Sequence, residues 1–494
     1  MSRLKELFSD SIIYGISSVV ARFINYLLVP FYTKFFDPAE YGVVGLIYAA
    51  IIFFNVIYTF GMESSYIRYA SQSDYKKKDV FTTIQIALAA AATGLGVVLY
   101  FAGSPLLTPL LSLDSFPGHD LLGMMLVILW LDTMSIVPYA HLRLVRSAMI
   151  YAVIKLVNVI INVGLNLYLI IVLQWGLEAI LISNIIASGV SFLMLAVVTS
   201  KLYFGRPSSA ILYTTLLFGL PYIPNGIGFA INEVIDRFFL NMMDAQTIEA
   251  IYGLPYSSED ITGIYNACYK ISVFMLLLVQ MFRLAWQPFF MRHAKSETAP
   301  KLFSQVFFYF NAVSAVLFLI VASFVTEIVS IRIPLLDATI IDSRYWAGLS
   351  IVPILLMAYW FQGWFMNFSA GIFIKEKTIW FPKITFWGAG ITIVGNLLMV
   401  PVLGMMGSAL ATMLCYGFMC LYTLRLSQSV FQVDYPFKYV ILLMSSSLLI
   451  VTLTYFLPIV IVSELLTKIT LVSAGLLIVV IISLHYYKKE QNLG

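Results

Sequence analysis

Charge is scarce in this sequence. Only 11% of the 494 residues are charged, against roughly a quarter in a soluble domain, so an ordinary water-soluble enzyme or a nucleic-acid binder is excluded. Cysteine is nearly missing: Cys268, Cys415 and Cys420 are the three present. All fall inside apolar stretches, where a cysteine serves as a small core hydrophobe rather than a disulfide or metal partner. The four histidines, His119, His141, His293 and His485, stand at or beyond the ends of apolar runs, which leaves no intramembrane triad and no metal cluster. No glycine-rich loop ends in Lys-Ser or Lys-Thr, which excludes a P-loop ATPase. Ten-residue segments of period-two alternation are also missing, which argues against a transmembrane barrel.

What remains is apolar: 61% hydrophobic residues and a mean hydropathy of +0.92. The expected fold class is an all-α polytopic membrane protein. Fourteen apolar runs are long enough to span a bilayer, near 11–32, 42–62, 80–103, 121–141, 147–173, 176–200, 211–241, 261–286, 302–326, 346–372, 379–402, 404–424, 437–460 and 466–487. The first run carries Arg22 and lacks a small-x-small cleavage site, so it reads as a retained helix.

Orientation follows from the basic residues, because cytoplasmic loops retain Lys and Arg. With an inside amino terminus, twenty of the 29 basic residues fall on the cytoplasmic side, among them Lys76, Lys77 and Lys78, and only Lys34, Arg332, Arg344 and Lys468 on the other. Both termini are expected in the cytoplasm. The longest far-side stretches, 243–262 and 327–345, are too short to fold as separate domains.

The halves echo one another. Val163-Gly-Leu-Asn166, followed by Gly176, matches Val394-Gly-Asn396, followed by Gly404; Phe35-Phe-Asp37, with Tyr41-Gly42 beyond it, matches Met242-Met-Asp244, with Gly263-Ile-Tyr265 beyond it. An even number of spans per copy makes this a parallel repeat: a six-helix bundle over 1–206, a second over 207–428, and two added spans over 429–494.

Three motifs resemble the polysaccharide flippase branch of the multidrug, oligosaccharidyl-lipid and polysaccharide exporter superfamily. They are Val29-Pro-Phe-Tyr-Thr-Lys-Phe-Phe-Asp-Pro-Ala-Glu-Tyr-Gly42, Gly61-Met-Glu-Ser-Ser-Tyr-Ile-Arg-Tyr69 and Gly263-Ile-Tyr-Asn-Ala-Cys-Tyr-Lys270. The likeness extends over nearly the whole chain. It implies a V-shaped pair of six-helix bundles around a central cavity in a bacterial inner membrane. The implied activity moves undecaprenyl-diphosphate-linked oligosaccharide from the cytoplasmic to the periplasmic leaflet by alternating access, for O-antigen, capsule or exopolysaccharide synthesis. The implied partners are that substrate, membrane lipids, a polysaccharide polymerase and a chain-length regulator.

Five cations interrupt the spans: Arg22, Lys155, Arg237, Lys270 and Arg283. A buried cation is costly, so each faces protein, water or an anion. A diphosphate needs fixed positive groups, and guanidinium matches its oxygens two at a time. Arg22, Arg237, Lys270 and Arg283 are therefore candidate substrate contacts, in a ladder from inner mouth to outer rim, if the first, seventh and eighth spans line the cavity. Each has a plainer reading: Arg237 pairs with Asp236 or Glu233, Lys270 and Arg283 snorkel, and Lys155 pairs with Asp132. Asn25, with Asn55, Asn225 and Asn232, suits sugar hydroxyls. Asp132, Glu233 and Asp236 are candidate carriers of a coupling proton or sodium ion. Pro221 and Pro224 permit a bend that can serve as a gate. No other cofactor and no bound metal is expected. The competing functions are a cation-coupled multidrug exporter, which favours acids over arginines in its cavity, and a membrane glycosyltransferase or polymerase, which should display a catalytic extramembrane loop.

Overall fold

The computed structural model describes residues 28–71, 75–116, 118–334, 336–456 and 464–492. The first expected span, with Arg22 and Asn25, lies outside the described residues apart from its last few positions. Long apolar runs become helices because a helix satisfies its own backbone N–H and C=O groups where no water is available.

Two compact units divide the chain, and the boundary falls within one helix. The first contains α1 (Val29–Phe35), α2 (Pro38–Thr59), α3 (Met62–Ala70), α4 (Lys77–Phe101), α5 (Ser104–Leu110), α6 (Leu121–Leu144), α7 (Ala148–Leu167), α8 (Glu178–Val198), α9 (Ser209–Gly219), α10 (Tyr222–Asn241), α11 (Ala245–Tyr252) and the start of α12 (Ser258–His293), as far as Asn266. Val400–Gly404 belongs with it. The second contains the rest of α12, then α13 (Ala299–Ser323), α14 (Val325–Ser330), α15 (Ile351–Ile374), α16 (Trp380–Leu403), α17 (Met405–Gln428), α18 (Phe437–Phe456) and α19 (Glu464–Asn492). A two-residue hairpin, β1 (Arg332–Ile333) with β2 (Ala338–Thr339), joins α14 to α15.

Among the described residues, 12 helices are long and apolar enough to cross a membrane, counting α2 and α3 as one, and α9 with α10 form one further span bent by 44°. They coincide with the second to fourteenth expected spans, so the chain is an all-α multi-pass membrane protein.

The repeated Asp serves as a helix cap in both copies. Asp37 and Glu40 form a reciprocal capping box with Pro38 in the first turn of α2, and Glu40 accepts from the Asp37 amide at 3.0 Å. Asp244 starts α11 by accepting from the Thr247 amide at 2.9 Å and its hydroxyl at 2.7 Å. Those bonds, the amide first, hold its carboxyl below the usual carboxylate range.

The repeated Asn is shared in the same way. Asn166 on α7 donates to the Asn162 carbonyl at 2.8 Å, and Asn396 on α16 donates to the Thr392 carbonyl at 2.8 Å. Each turns its carbonyl oxygen to a hydroxyl: Tyr32 at 3.0 Å for Asn166, Ser408 at 2.8 Å for Asn396. Back-bonding of this kind lets a buried amide sit inside a helix with its polar atoms satisfied.

Packing in the second unit is aromatic. Asn311 on α13 accepts from both indole N–H groups of α15, Trp360 at 2.8 Å and Trp364 at 2.6 Å. Trp286 and Phe290 on α12 lie against Phe303 on α13 and Ala370 on α15. The three cysteines are buried and none is in a disulfide; they pack as small core residues.

Candidate functional site

Three arrangements in the first unit carry chemistry or motion. The first is a crossing of α2 and α12 at their amino-terminal ends. A Cβ added at Gly42 would stand 2.1 Å from the Glu259 carbonyl oxygen, and one at Gly263 would stand 1.8 Å from the Pro38 carbonyl oxygen. Each glycine therefore touches the backbone four residues before the other. The contact is reciprocal. Gly45 and Asn266, one turn further along each helix, also meet: a Cβ at Gly45 would be 3.0 Å from Asn266 Nδ2.

The second is a buried charge cluster on α10. Arg237 and Asp236 are 6% and 4% exposed and form an ion pair at 2.6 Å. Asp236 Oδ1 also accepts from the Arg237 amide at 2.9 Å, and Oδ2 from the Tyr265 hydroxyl at 2.7 Å. The Arg237 guanidinium donates to the Glu233 carbonyl at 2.5 Å and lies 5.8 Å from the centre of the Tyr265 ring. Charge and hydrogen-bond capacity are thus largely met inside the protein.

The third surrounds Asp132 on α6. The Ser188 hydroxyl stands 3.2 Å from Asp132 Oδ1 and 3.3 Å from Asn184 Oδ1, with one proton to divide between them. Asn184 Nδ2 donates to the Tyr48 hydroxyl at 3.0 Å. Lys155 lies within electrostatic reach of Asp132, with its ammonium 4.3 Å from the centre of the Tyr139 ring. A proton on Asp132 would satisfy Ser188 as acceptor and free the serine hydroxyl for Asn184, so the network has a place for one more proton.

The other expected residues are dispersed. Lys270 is half-buried and Arg283 exposed, both on α12. Thirteen residues turn an α-helix by roughly 220°, so the two cations leave α12 in different directions. Glu233 is half-buried on α10. Pro221 caps the start of α10 at the 44° bend. Pro224 lies in the first turn of α10; it has no N–H for the Leu220 carbonyl, which accepts from the Ile223 amide at 3.0 Å instead, so both prolines act at the break. That break packs on another, between α2 and α3: a Cβ at Gly61, whose φ is +65°, would stand 2.4 Å from the Gly219 carbonyl oxygen. Among the described residues, no three His, Cys, Asp or Glu side chains gather as a metal site.

Tyr48, Asn184 and Ser188 carry no signal in the sequence, because lone hydroxyls and amides in apolar runs give none until their partners are known; Tyr265 is legible only as part of a repeat echo, not as the partner of Asp236.

The chain matches the family described as polysaccharide biosynthesis protein over residues 7–294. It belongs to that family. Among curated proteins, none matches the chain in sequence. Among solved structures, this family member is similar to the lipid II flippase MurJ in an inward closed conformation: TM-score 0.71, 14% identity, 97% of this chain and 99% of that one. It is also similar to a multidrug resistance MATE family transporter of the MOP superfamily, inward-facing, with TM-score 0.60 and 14% identity over 88% of this chain and 96% of that one. The outward-facing form gives a TM-score of 0.55 at 15% identity, over 89% and 97%. At such identities the likeness establishes the fold, which this family member shares with transporters. The family resemblance read from the three motifs is borne out.

Proposed function

We propose that the protein is a flippase for undecaprenyl-diphosphate-linked oligosaccharide, working by alternating access in a bacterial inner membrane with both termini in the cytoplasm. The observation that carries this reading is the polysaccharide biosynthesis family match; a fold shared with a lipid II flippase over 97% of the chain supports it. In this reading Arg22, Lys270 and Arg283 receive the diphosphate. Lys270 and Arg283, which leave α12 in different directions, act in this reading at different stages of the passage. Arg237 is assigned to the Asp236 and Tyr265 cluster, with an effect on substrate through the placement of α10. Asp132 is the best of the three acids for a coupling proton, because Asp236 is occupied by Arg237 and Tyr265. A polymerase and a chain-length regulator would take the product onward.

The test is complementation of a strain lacking the native gene, scored as surface polysaccharide. Lys270→Ala and Arg22→Ala are expected to lower polymer at least about tenfold, a loss of about 1.4 kcal/mol or more in transition-state or substrate stabilisation. Lys270→Arg should restore part of it. Full polymer from both alanine variants, with normal insertion, would overturn the anion role. Asp132→Asn should remove the response of transport in proteoliposomes to an imposed proton gradient and leave downhill exchange in place. A response to sodium instead would reassign the coupling ion.

The second reading is a cation-coupled multidrug exporter, favoured by the MATE-like fold. Drug accumulation in the same strain discriminates: the flippase reading expects no change when the gene is supplied.

Replacing Pro221 and Pro224 together with alanine should straighten α9 into α10 and impair transport while insertion is kept. Equal transport by the double variant and the unmodified protein would remove the bend from the mechanism.

A further inference from the structure

At the end of α4 opposite Lys76, Lys77 and Lys78, the first unit holds a cavity of about 350 Å³, within the range of small-molecule sites. Its floor is apolar, from Leu113, Leu121 and Leu122, and its walls carry Tyr100, Ser104 and Thr108. Among the described residues no lysine or arginine lines it, so it has no fixed cation for a phosphate. Two carboxylates are present, but Asp120 is largely committed. Its Oδ1 accepts from the Gly123 amide at 2.9 Å and its Oδ2 from the Tyr100 hydroxyl at 3.1 Å. Asp114 is exposed at the rim. Ser104 and Thr108 are 3.2 Å apart and share one hydrogen bond, which leaves one hydroxyl proton and several lone pairs facing the space. His119, at the rim, is 3.9 Å from Glu178.

We propose that this cavity binds a neutral sugar ring of the transported oligosaccharide, as a subsite apart from the cations that take its diphosphate; this rests on the flippase reading above. Hydroxyl donors of a pyranose meet the Asp114 carboxylate and the Ser104 and Thr108 oxygens, and its C–H face meets the Tyr100 ring and the leucine floor. A single available carboxylate amid hydroxyls suits a polyol better than an organic cation.

The cavity also borders a loop that is hydrogen-bonded to α10. Leu113 follows Ser112, whose hydroxyl accepts from Asn241 Nδ2 at 3.0 Å, and Asn241 also donates to the Leu110 carbonyl at 3.3 Å. Asn241 ends α10, one turn beyond Arg237. The Ser112 hydroxyl also donates to Asn241 Oδ1 at 3.3 Å, so the loop beneath the cavity is tied to the end of α10.

The test uses the full-length protein in nanodiscs and saturation-transfer NMR with glucose, galactose and N-acetylglucosamine, and with tetraphenylphosphonium as the cationic probe. At least one sugar is expected to give signal that falls about fivefold or more in Thr108→Trp, which fills the cavity, and in Asp114→Asn. Leu106→Trp, at an exposed position on α5 outside the lining, should retain signal and shows that added bulk on this helix is tolerated. No sugar signal, signal unchanged in Thr108→Trp, or phosphonium signal that Thr108→Trp removes would each overturn the subsite. Complementation is scored alongside: polymer export without sugar signal sinks the subsite alone, whereas absence of export by the unmodified protein sinks the flippase reading.

Discussion

Leucine at Gly263 is expected to reduce surface polysaccharide in the complementation assay at least about tenfold, although the protein still inserts. The obstruction is the Cβ itself, 1.8 Å from the Pro38 carbonyl oxygen and 2.9 Å from the Gly42 amide nitrogen, so no rotamer relieves it. Overpacking a side-chain core costs about 1–3 kcal/mol because neighbours shift; here the neighbour is backbone, and the helices must part. Two outcomes separate a static contact from a working one. A structural crossing predicts a lowered melting temperature together with lost export. A crossing that opens during transport predicts a variant that melts normally yet does not transport, because one state of the cycle is excluded. Gly94 and Gly164 are the controls: nothing lies within 4 Å of an added Cβ at either. Alanine there should be silent or stabilising, since alanine is favoured over glycine in a helix by about 1 kcal/mol. Undiminished polymer from Gly263→Leu would remove the crossing from the mechanism.

The membrane class and span positions were legible because apolar length is a local property: a run of twenty residues shows itself without knowledge of its neighbours. The caps at Asp37 and Asp244 were legible as repeated Asp positions for the same reason. The crossing was half visible. Tyr41-Gly42 and Gly263-Ile-Tyr265 were recognised as repeat echoes, and Pro38-x-x-x-Gly42 and Glu259-x-x-x-Gly263 share the four-residue spacing of close helix contacts; that the echoes touch each other is a fact of three dimensions. Likewise Asp132 stood out as an intramembrane acid, whereas Tyr48, Asn184 and Ser188, on two other helices, did not. The sequence placed Lys270 and Arg283 in one ladder by counting rise along α12. Counting rotation as well separates them, and depth without azimuth was the weaker half of that argument.

Arg237→Ala should be the most destabilising single change on α10, by about 3–5 kcal/mol, because it leaves the Asp236 carboxylate buried without its counter-ion. The measurement is thermal unfolding of the purified protein in detergent beside insertion level in cells. Asp236→Asn with Arg237 intact removes the 2.6 Å ion pair from the other side, and a loss of stability is expected there too. Replacing both by leucine removes the charges together, and substitutions of buried pairs by apolar residues are often neutral; the Tyr265 hydroxyl then loses its Asp236 acceptor, at a cost of about 1–3 kcal/mol. The double variant is therefore expected to be more stable than either single variant. It also decides the role of Arg237. Polymer export restored along with stability assigns the pair to structure and leaves Arg22, Lys270 and Arg283 as the diphosphate contacts. Stability restored without export means that the guanidinium is needed for more than Asp236, and that the pair is broken and remade as substrate passes.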